Sequence, residues 1–252
     1  MDTVVLNPEN LAREHICCAF SDKKNAAGYD AKKAWLKSRF GEGYRFRKLD
    51  VRGKVFIEYE PIETAWLPLA GAGFMVLNCF WVSGRFKGQG YGKALLAEAE
   101  TDARAAGMQG VVAVVGDKKR PFMSDPRFFK ARGYVEIDSA PPFFRLLGKR
   151  FDRHAPWPAF LETARRGRVD APGIVAHYTD GCPYTALYVG KGLVEYASAK
   201  GVALTLNHIQ SREAAHDLPI PWVLNSVFYN GELVTLEMKA NRHLDKVIAA
   251  TA

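Results

Sequence analysis

Glycine recurs at positions 84, 88, 90 and 92, in a stretch that also carries Lys87 and Lys93. An apolar run precedes the stretch and a helical pattern follows it. Glycines in a strand-to-helix turn leave backbone N–H groups accessible, and N–H groups at a helix N-terminus bind phosphate. The stretch has neither the GKS or GKT of a P-loop nor the GxGxxG spacing of a dinucleotide-binding turn. It therefore predicts a phosphate-binding turn of another kind, although such a turn can also simply reverse the chain.

Two carboxylates could supply a general base. Glu58 and Glu60 share one face of a predicted strand with Phe56, because side chains alternate between the faces of a strand. From that face they could reach a central cleft and take a proton from an attacking group. Solvent-facing carboxylates on an alternating strand are the more common arrangement, and the sequence leaves both alternatives open.

Four cysteines offer thiol chemistry, but they form no CxxC pair and no spacing typical of a zinc site. We expect neither a disulfide framework nor a bound metal, and a reducing, cytoplasmic setting. Cys79 lies on the predicted central strand and is either a small core residue or part of the wall of a pocket. Cys17 and Cys18 fall on a predicted first helix with His15, where core packing is favoured over contact with a soft metal or a thiol.

Cys182 is the best candidate for a reactive thiol. It begins the segment Cys-Pro-Tyr-Thr at the predicted N-terminus of a helix, where the backbone dipole stabilises a thiolate. The segment resembles the glutaredoxin active site CPYC with Thr185 in place of the second cysteine. Such a site could form a mixed disulfide but no internal one. The alternative is a domain that binds or positions a molecule, with Cys182 incidental.

Hydrophobic periodicity predicts the elements that position these residues. In the first part the predicted elements are a strand at residues 4–5, helices over 10–20 and 31–40, a hairpin of 44–51 with 54–59, a strand over 74–82, a helix from 91 to about 107, a strand over 110–115, a short helix over 126–132, and strands over 134–137 and 143–147. In the second part they are strands over 174–178, 202–209, 222–229 and 232–237, and helices over 185–200, 211–216 and 242–249.

The chain of 252 residues is long enough for two domains, and its charge is divided unevenly. Residues 1–150 hold 25 basic and 17 acidic side chains, whereas residues 151–252 hold ten of each. A basic first domain beside a neutral second one indicates an anionic ligand for the first. The segment 151–172 holds three prolines around a basic run, so we expect domains over 1–150 and 173–252 joined by a linker.

The first domain resembles the GNAT acyltransferases, whose motif is Arg or Gln, two residues, Gly, one residue, and Gly or Ala after a central strand. Residues 85–90 match the motif literally, and residues 87–92 match it with lysine in the first position; we prefer the later register, because the predicted helix begins at Gly90. The resemblance implies a mixed α/β sheet with helices on both faces and the transfer of an acetyl group from acetyl-CoA to an amine. The backbone N–H of Val82 would stabilise the oxyanion, with Glu58 and Cys79 as further catalytic candidates. The residues implied to hold coenzyme A are Val82, Lys87, Gly88, Gln89, Gly90, Tyr91, Gly92 and Lys93.

The sequence departs from this family at the general acid. The family often places a tyrosine four residues before a Gly-aromatic pair, and here the pair is Gly133-Tyr134 with Phe129 at that position, after Phe128. The acid is then supplied elsewhere, for example by Tyr134 or water, or the chemistry differs from ordinary amine acetylation.

The second part follows the element order of a thioredoxin-like fold, and a GNAT domain followed by such a module resembles the bacterial N-acetyltransferases with a YoaP-like domain. We therefore expect a cytoplasmic acetyltransferase whose partners are coenzyme A and a small amine or peptide. The alternative is a thiol- or metal-handling protein that uses Cys182 and senses acyl-CoA. A nucleic-acid partner is disfavoured by the neutral second domain. A membrane partner is not expected, because the uncharged stretch 65–84 is broken internally, as at Pro68 and Asn78.

Overall fold

The computed structural model describes residues 2–251, which form strands and helices in close agreement with the predicted order. The elements of the first part are β1 (Thr3–Val5), α1 (Ala26–Phe40), β2 (Arg45–Leu49), β3 (Val55–Pro61), β4 (Leu69–Ala70), β5 (Phe74–Val82), α2 (Tyr91–Ala105), β6 (Gly110–Gly116), α3 (Pro126–Lys130), β7 (Val135–Ala140) and β8 (Phe144–Arg150). The elements of the second part are β9 (Ala159–Phe160), β10 (Ile174–Tyr178), α4 (Gly192–Lys200), β11 (Leu204–His208), α5 (Arg212–His216), β12 (Asn225–Tyr229), β13 (Glu232–Thr235) and α6 (Asn241–Thr251).

The large sheet has the strand order β1-β2-β3-β5-β6-β8-β7 within the described residues. Strands β5 and β6 are parallel and the other neighbouring pairs are antiparallel. This is the mixed sheet that the resemblance implied. The pairing of β5 with β6 extends from Phe74 to Leu77, whereas β5 continues to pair with β3 as far as Val82. The two parallel strands therefore separate after Leu77 and leave a cleft between them.

Helices cover both faces of this sheet, because alternate residues of β3 join different hydrophobic clusters. Ile57 packs in the cluster that contains Leu95 and Leu96 of α2, and Phe56 packs in the cluster that contains Leu36 of α1. Side chains two residues apart on a strand share a face. Glu58 and Glu60 therefore lie on the same face as Phe56, under α1.

The second sheet has the order β11-β10-β12-β13, with β10 parallel to β11 and antiparallel to β12. The predicted element order is observed, and a thioredoxin-like relationship stays a prediction. Phe74 of the large sheet shares a hydrophobic cluster with Val175 and Phe228 of the second sheet. Phe160, in the segment predicted as a linker, is buried in the same cluster. The two sheets thus share packing, and the domain boundaries remain a prediction.

The predicted helix over residues 10–20 is wrong. This described segment forms turns, and the backbone has φ +63° at Cys17 and +57° at Ala19. The side chain of His15 accepts a hydrogen bond from the Cys17 N–H through Nδ1 at 3.1 Å. Side-chain to backbone bonds of this kind compete with helix formation. The following helix begins at Ala26, five residues earlier than predicted, and the helix predicted over 185–200 begins as a π-helical segment at 186–191.

Candidate functional site

The cleft between β5 and β6 presents the backbone N–H of Val82. The N–H of the next residue, Ser83, donates to the Lys54 carbonyl on the β3 side at 2.9 Å. Successive N–H groups of an extended chain point to opposite edges. The Val82 N–H therefore points away from β3, towards the side where β6 has separated, as an oxyanion donor requires.

The glycine-rich turn follows directly and ends at the N-terminus of α2. Gly88 has φ +77° and Gly90 has φ +82°, a region that side chains with a Cβ atom rarely occupy. Gly90 is the N-cap, and its carbonyl accepts the first helical hydrogen bond from Ala94 at 3.1 Å. The free N–H groups of the first turn of α2 thus stand at the cleft, in the arrangement that binds phosphate.

A groove of about 910 Å³ runs from the cleft along this turn. Basic side chains in its walls are Lys87, Lys93, Lys119, Arg120 and Arg132. Asp125, the acidic residue of the lining, is paired with Arg127 at 2.8 Å. The groove therefore carries a net positive charge suited to an anion. Of the sequence-predicted residues, Val82, Lys87, Gly88, Gly90, Tyr91, Gly92 and Lys93 line it, whereas Gln89 does not and bonds the carbonyl of Arg85.

A second, enclosed cavity of about 60 Å³ adjoins the groove. The two share four wall residues, namely Phe80, Trp81, Phe122 and Ser124. Glu58, Glu60 and Cys79 line the enclosed cavity, so the structure brings the predicted catalytic side chains together at one place. A substrate in the groove and another in the cavity would meet at the shared wall.

Glu58 is buried in this cavity with 2% of its surface exposed, so the solvent-facing alternative for this residue is wrong. Its Oε2 atom accepts hydrogen bonds from Lys32 at 2.6 Å and from the hydroxyl of Tyr44. Its Oε1 atom has no hydrogen-bond partner among the described residues. A carboxylate with one oxygen held and the other open can accept a proton.

Glu60 is equally buried, so solvent exposure is wrong here as well. It accepts hydrogen bonds from Asn78 at 2.8 Å and from Arg39. Burial raises the pKa of Glu60 from its ordinary value of 4.5 to about 7, because the loss of hydration outweighs the attraction of the Arg39 guanidinium. Glu60 is thus poised to change charge near neutral pH.

The second sheet closes one side of the enclosed cavity. Thr179 and Gly181 contribute from the loop after β10, and Trp222, Val223 and Leu224 contribute from the segment before β12. Trp35 of α1 and Trp66 of the loop after β3 also line the cavity, with ring centroids 5.9 Å apart, and they pack in one cluster with Leu218 of the second part. The sequence analysis missed the tryptophans, and their signal was weak because they are scattered along the chain.

Cys17 is buried, Cys18, Cys79 and Cys182 are half-buried, and their surroundings hold the thiols protonated. Burial raises the pKa of Cys18 to about 12 and that of Cys182 to about 11, and it raises the pKa of Cys79 well above its ordinary value. The thiolate that redox chemistry needs is therefore disfavoured, although Cys182 precedes a helical segment. No group of three or more metal-ligating side chains that could hold a metal ion occurs within residues 2–251.

Phe129, at the position where the family often has a tyrosine acid, and Tyr134 both lie in the core. Phe129 is 1% exposed. The hydroxyl of Tyr134 donates to Glu100 at 3.1 Å, and burial raises its pKa. Tyr134 does not line the groove or the enclosed cavity, so the structure does not bring it to the cleft.

None of the helices in the described part of the chain is long and apolar enough to cross a membrane.

Comparisons with known families agree with this geometry. Residues 11–124 match the model of the acetyltransferase (GNAT) family, and residues 204–246 match that of the YoaP-like family. The chain is 37% identical over 249 residues to the uncharacterized N-acetyltransferase YoaP of Bacillus subtilis (strain 168), and the match covers 99% of both proteins.

Two solved structures of similar proteins come from Brucella melitensis. A ribosomal-protein-alanine N-acetyltransferase is 15% identical with a TM-score of 0.44, and the match covers 60% of this chain and 100% of that one. A GNAT family acetyltransferase in complex with acetyl-CoA is 17% identical with a TM-score of 0.39, and the match covers 64% of this chain and 97% of that one.

Proposed function

This chain belongs to the GNAT family of acetyltransferases, and from that premise we propose that it transfers the acetyl group of acetyl-CoA to the amine of a small molecule. The observation that carries the proposal is the junction of two spaces. A basic groove with a phosphate-binding helix N-terminus meets an enclosed cavity with two buried carboxylates at a shared wall. That arrangement fits a large anionic donor on one side and a small acceptor on the other.

The groove residues divide the binding of acetyl-CoA between them. The N–H groups at the start of α2 would hold the pyrophosphate, with Lys87 and Lys93 beside them. The Val82 N–H would donate to the thioester carbonyl and stabilise the negative charge that develops on its oxygen. One lost donor of this type costs about 10²–10³ in rate in other enzymes.

The enclosed cavity then supplies the base. The amine nitrogen forms a bond to the carbonyl carbon, the bond from that carbon to sulfur breaks, and the nitrogen gives up one proton. We assign the proton to Glu58, because its Oε1 atom is open whereas both oxygens of Glu60 accept hydrogen bonds. Lys32 and Tyr44 fix the orientation of the carboxylate through its other oxygen.

The departing thiol leaves through the open groove. An ordinary thiol has a pKa of about 8.5, so a thiolate is a good leaving group and can take its proton from water in the groove. Water in this role is consistent with Phe129 at the position where the family often has a tyrosine, and with the bond of Tyr134 to Glu100. Cys79 lines the cavity as a protonated thiol and shapes it.

We place this activity in the cytoplasm, where acetyl-CoA is made and thiols stay reduced. The alternative of a thiol- or metal-handling protein is not favoured, because burial keeps the thiols of Cys18 and Cys182 protonated. Nucleic acid is not the proposed partner, since the basic residues of the groove surround a concave site suited to a small anion.

Calorimetric titration with acetyl-CoA tests the proposal, with a variant that fills the groove. Gly92 lies in the groove, and a Cβ atom there meets its nearest neighbours at 3.6 Å, an ordinary contact. Gly92→Leu should therefore fold but lose affinity for acetyl-CoA by tenfold or more. Gly41→Leu is the matched control, because nothing lies within 4 Å of a Cβ atom at that position. Absence of binding by the unaltered protein, or equal binding by the Gly92 variant, would contradict the proposal.

A further inference from the structure

Two buried N–H donors on residues that line the enclosed cavity lack acceptors, and a third lies on a neighbouring residue. The indole Nε1 atoms of Trp35 and Trp222 are sealed from solvent and have no hydrogen-bond partner in the described part of the chain. Both rings line the cavity, Trp35 from α1 and Trp222 from the second sheet's side. The Nε atom of Arg39, whose guanidinium lies over the rings of Trp35 and Trp66, is also unpartnered. Folded proteins pair almost all such groups.

Three of the four carboxylate oxygens in the cavity already accept hydrogen bonds. Lys32 and Tyr44 bond one oxygen of Glu58, and Asn78 and Arg39 bond the oxygens of Glu60. The open oxygen of Glu58 is the atom assigned to the proton of the amine. These carboxylates leave the two indole N–H groups without an acceptor, and a molecule that enters the cavity can satisfy them with oxygen atoms of its own.

The charge and shape of the cavity limit what that molecule can be. Glu58 is paired with Lys32 and Glu60 with Arg39, so the protein brings little net charge to the buried site. Tryptophan and tyrosine rings form much of the wall. A volume of about 60 Å³ admits a small group, and the loops after β10 and before β12 form part of its wall. A small molecule fits this enclosure better than the terminus of a folded protein.

We propose that the acceptor substrate is a small amine that carries a carboxylate or carbonyl oxygen close to its nitrogen, and that the indole N–H groups of Trp35 and Trp222 bind that oxygen. This inference rests on the proposed function and adds the chemical class of the acceptor. It also gives the second sheet a role, because Trp222 comes from its side of the cavity and selects the acceptor. The carboxylate of a free amino acid and the carbonyl of an amino-acid amide share this chemistry.

Matched acceptor pairs test the inference. The rate of coenzyme A release from acetyl-CoA is measured with alanine, alaninamide and ethylamine, and with leucine and isoamylamine, in each case as kcat/KM. We expect kcat/KM for alanine or alaninamide to exceed that for ethylamine by tenfold or more, and kcat/KM for leucine to exceed that for isoamylamine by a similar factor if the oxygen is a carboxylate. A preference for alanine over alaninamide, or the reverse, identifies the oxygen as carboxylate or carbonyl.

Two variants remove one indole N–H each while they keep an aromatic ring. Trp222→Phe and Trp35→Phe should each lower kcat/KM for the preferred acceptor, chiefly through KM, by about tenfold more than they lower kcat/KM for the plain amine. Trp157→Phe is the control, since Trp157 lies outside the groove and the cavity and packs on Phe74.

The outcomes separate the inference from the function beneath it. Equal or better transfer to ethylamine and isoamylamine overturns the inference and leaves acetyl transfer standing. Equal losses for both members of a pair in the tryptophan variants overturn it as well. Binding of acetyl-CoA without transfer to any of these acceptors also overturns it, whereas failure to bind acetyl-CoA overturns the proposed function itself.

Discussion

Glu60→Gln should remove a large pH dependence from the stability of the fold. Burial raises the pKa of Glu60 from 4.5 to about 7 in the folded protein, and unfolding restores the ordinary value. Between these two pKa values the folded state holds a proton that the unfolded state has released. Stability therefore falls as the pH rises through this window, and the cost is fully present above pH 7.

The size of the effect follows from the difference between the two pKa values. About two and a half pKa units at about 1.4 kcal/mol each correspond to roughly 3 kcal/mol. Between pH 5 and pH 8 most of this difference is traversed, so the unaltered protein should lose roughly 2–3 kcal/mol relative to Glu60→Gln. Glutamine has nearly the same shape but cannot ionise.

Urea unfolding at pH 5 and pH 8 measures this quantity as a difference between the two proteins, which cancels the titration of other groups. Glu162→Gln is the control, because the Glu162 side chain is 92% exposed and should show no such dependence. A difference that does not change with pH would refute the burial argument. A reversed sign would mean that the guanidinium of Arg39 dominates and lowers the pKa of Glu60.

Three further predictions concern packing, catalysis and thiol chemistry. Gly28→Ala should destabilise the protein in urea far more than Gly41→Ala, because a Cβ atom at position 28 would lie 2.2 Å from the carbonyl oxygen of Pro183 whereas position 41 is open; equal effects would contradict the docking of this loop on α1. Glu58→Gln should lower kcat by about 10²–10⁴ with little change in calorimetric affinity for acetyl-CoA, and an unchanged kcat would exclude Glu58 as the base. Cys182 should react with a thiol reagent at pH 8 much more slowly in the folded protein than in urea, because burial raises its pKa to about 11; fast reaction in the folded state would restore the redox alternative.

Local patterns in the sequence were sufficient to predict the strand β5 and the glycine-rich turn that follows it. The run from Phe74 to Val82 forms β5 with the predicted bounds, and the glycines at 88 and 90 have the positive φ values that only a glycine-rich turn readily adopts. Between the predicted strands over 222–229 and 232–237, Asn230 and Gly231 form the turn that joins β12 to β13, with φ +47° and +91°. In each case neighbours along the chain determine the structure.

The enclosed cavity depends on contacts between distant residues, and the sequence did not reveal it. Alternation on β3 placed Glu58 and Glu60 on one face, but their burial depends on Lys32 and Arg39, which α1 brings from more than 20 residues away. The enclosure by the second sheet and the unpaired N–H of Trp222 arise from even longer separations. The segment around Cys17 shows that local contacts can also defeat a prediction. The sequence pattern predicted a helix over residues 10–20, but the Cys17 N–H donates a hydrogen bond to the side chain of His15, and the segment forms turns.

The crystal structure of the acetyl-CoA complex tests the central claim most directly. The account predicts electron density for the pyrophosphate at the N–H groups that begin α2, and a thioester carbonyl oxygen within hydrogen-bond distance of the Val82 N–H. The acetyl group should face the cavity that holds Glu58. Density for the ligand at another surface, or a thioester bound away from Val82 with the groove empty at saturating acetyl-CoA, would contradict the account.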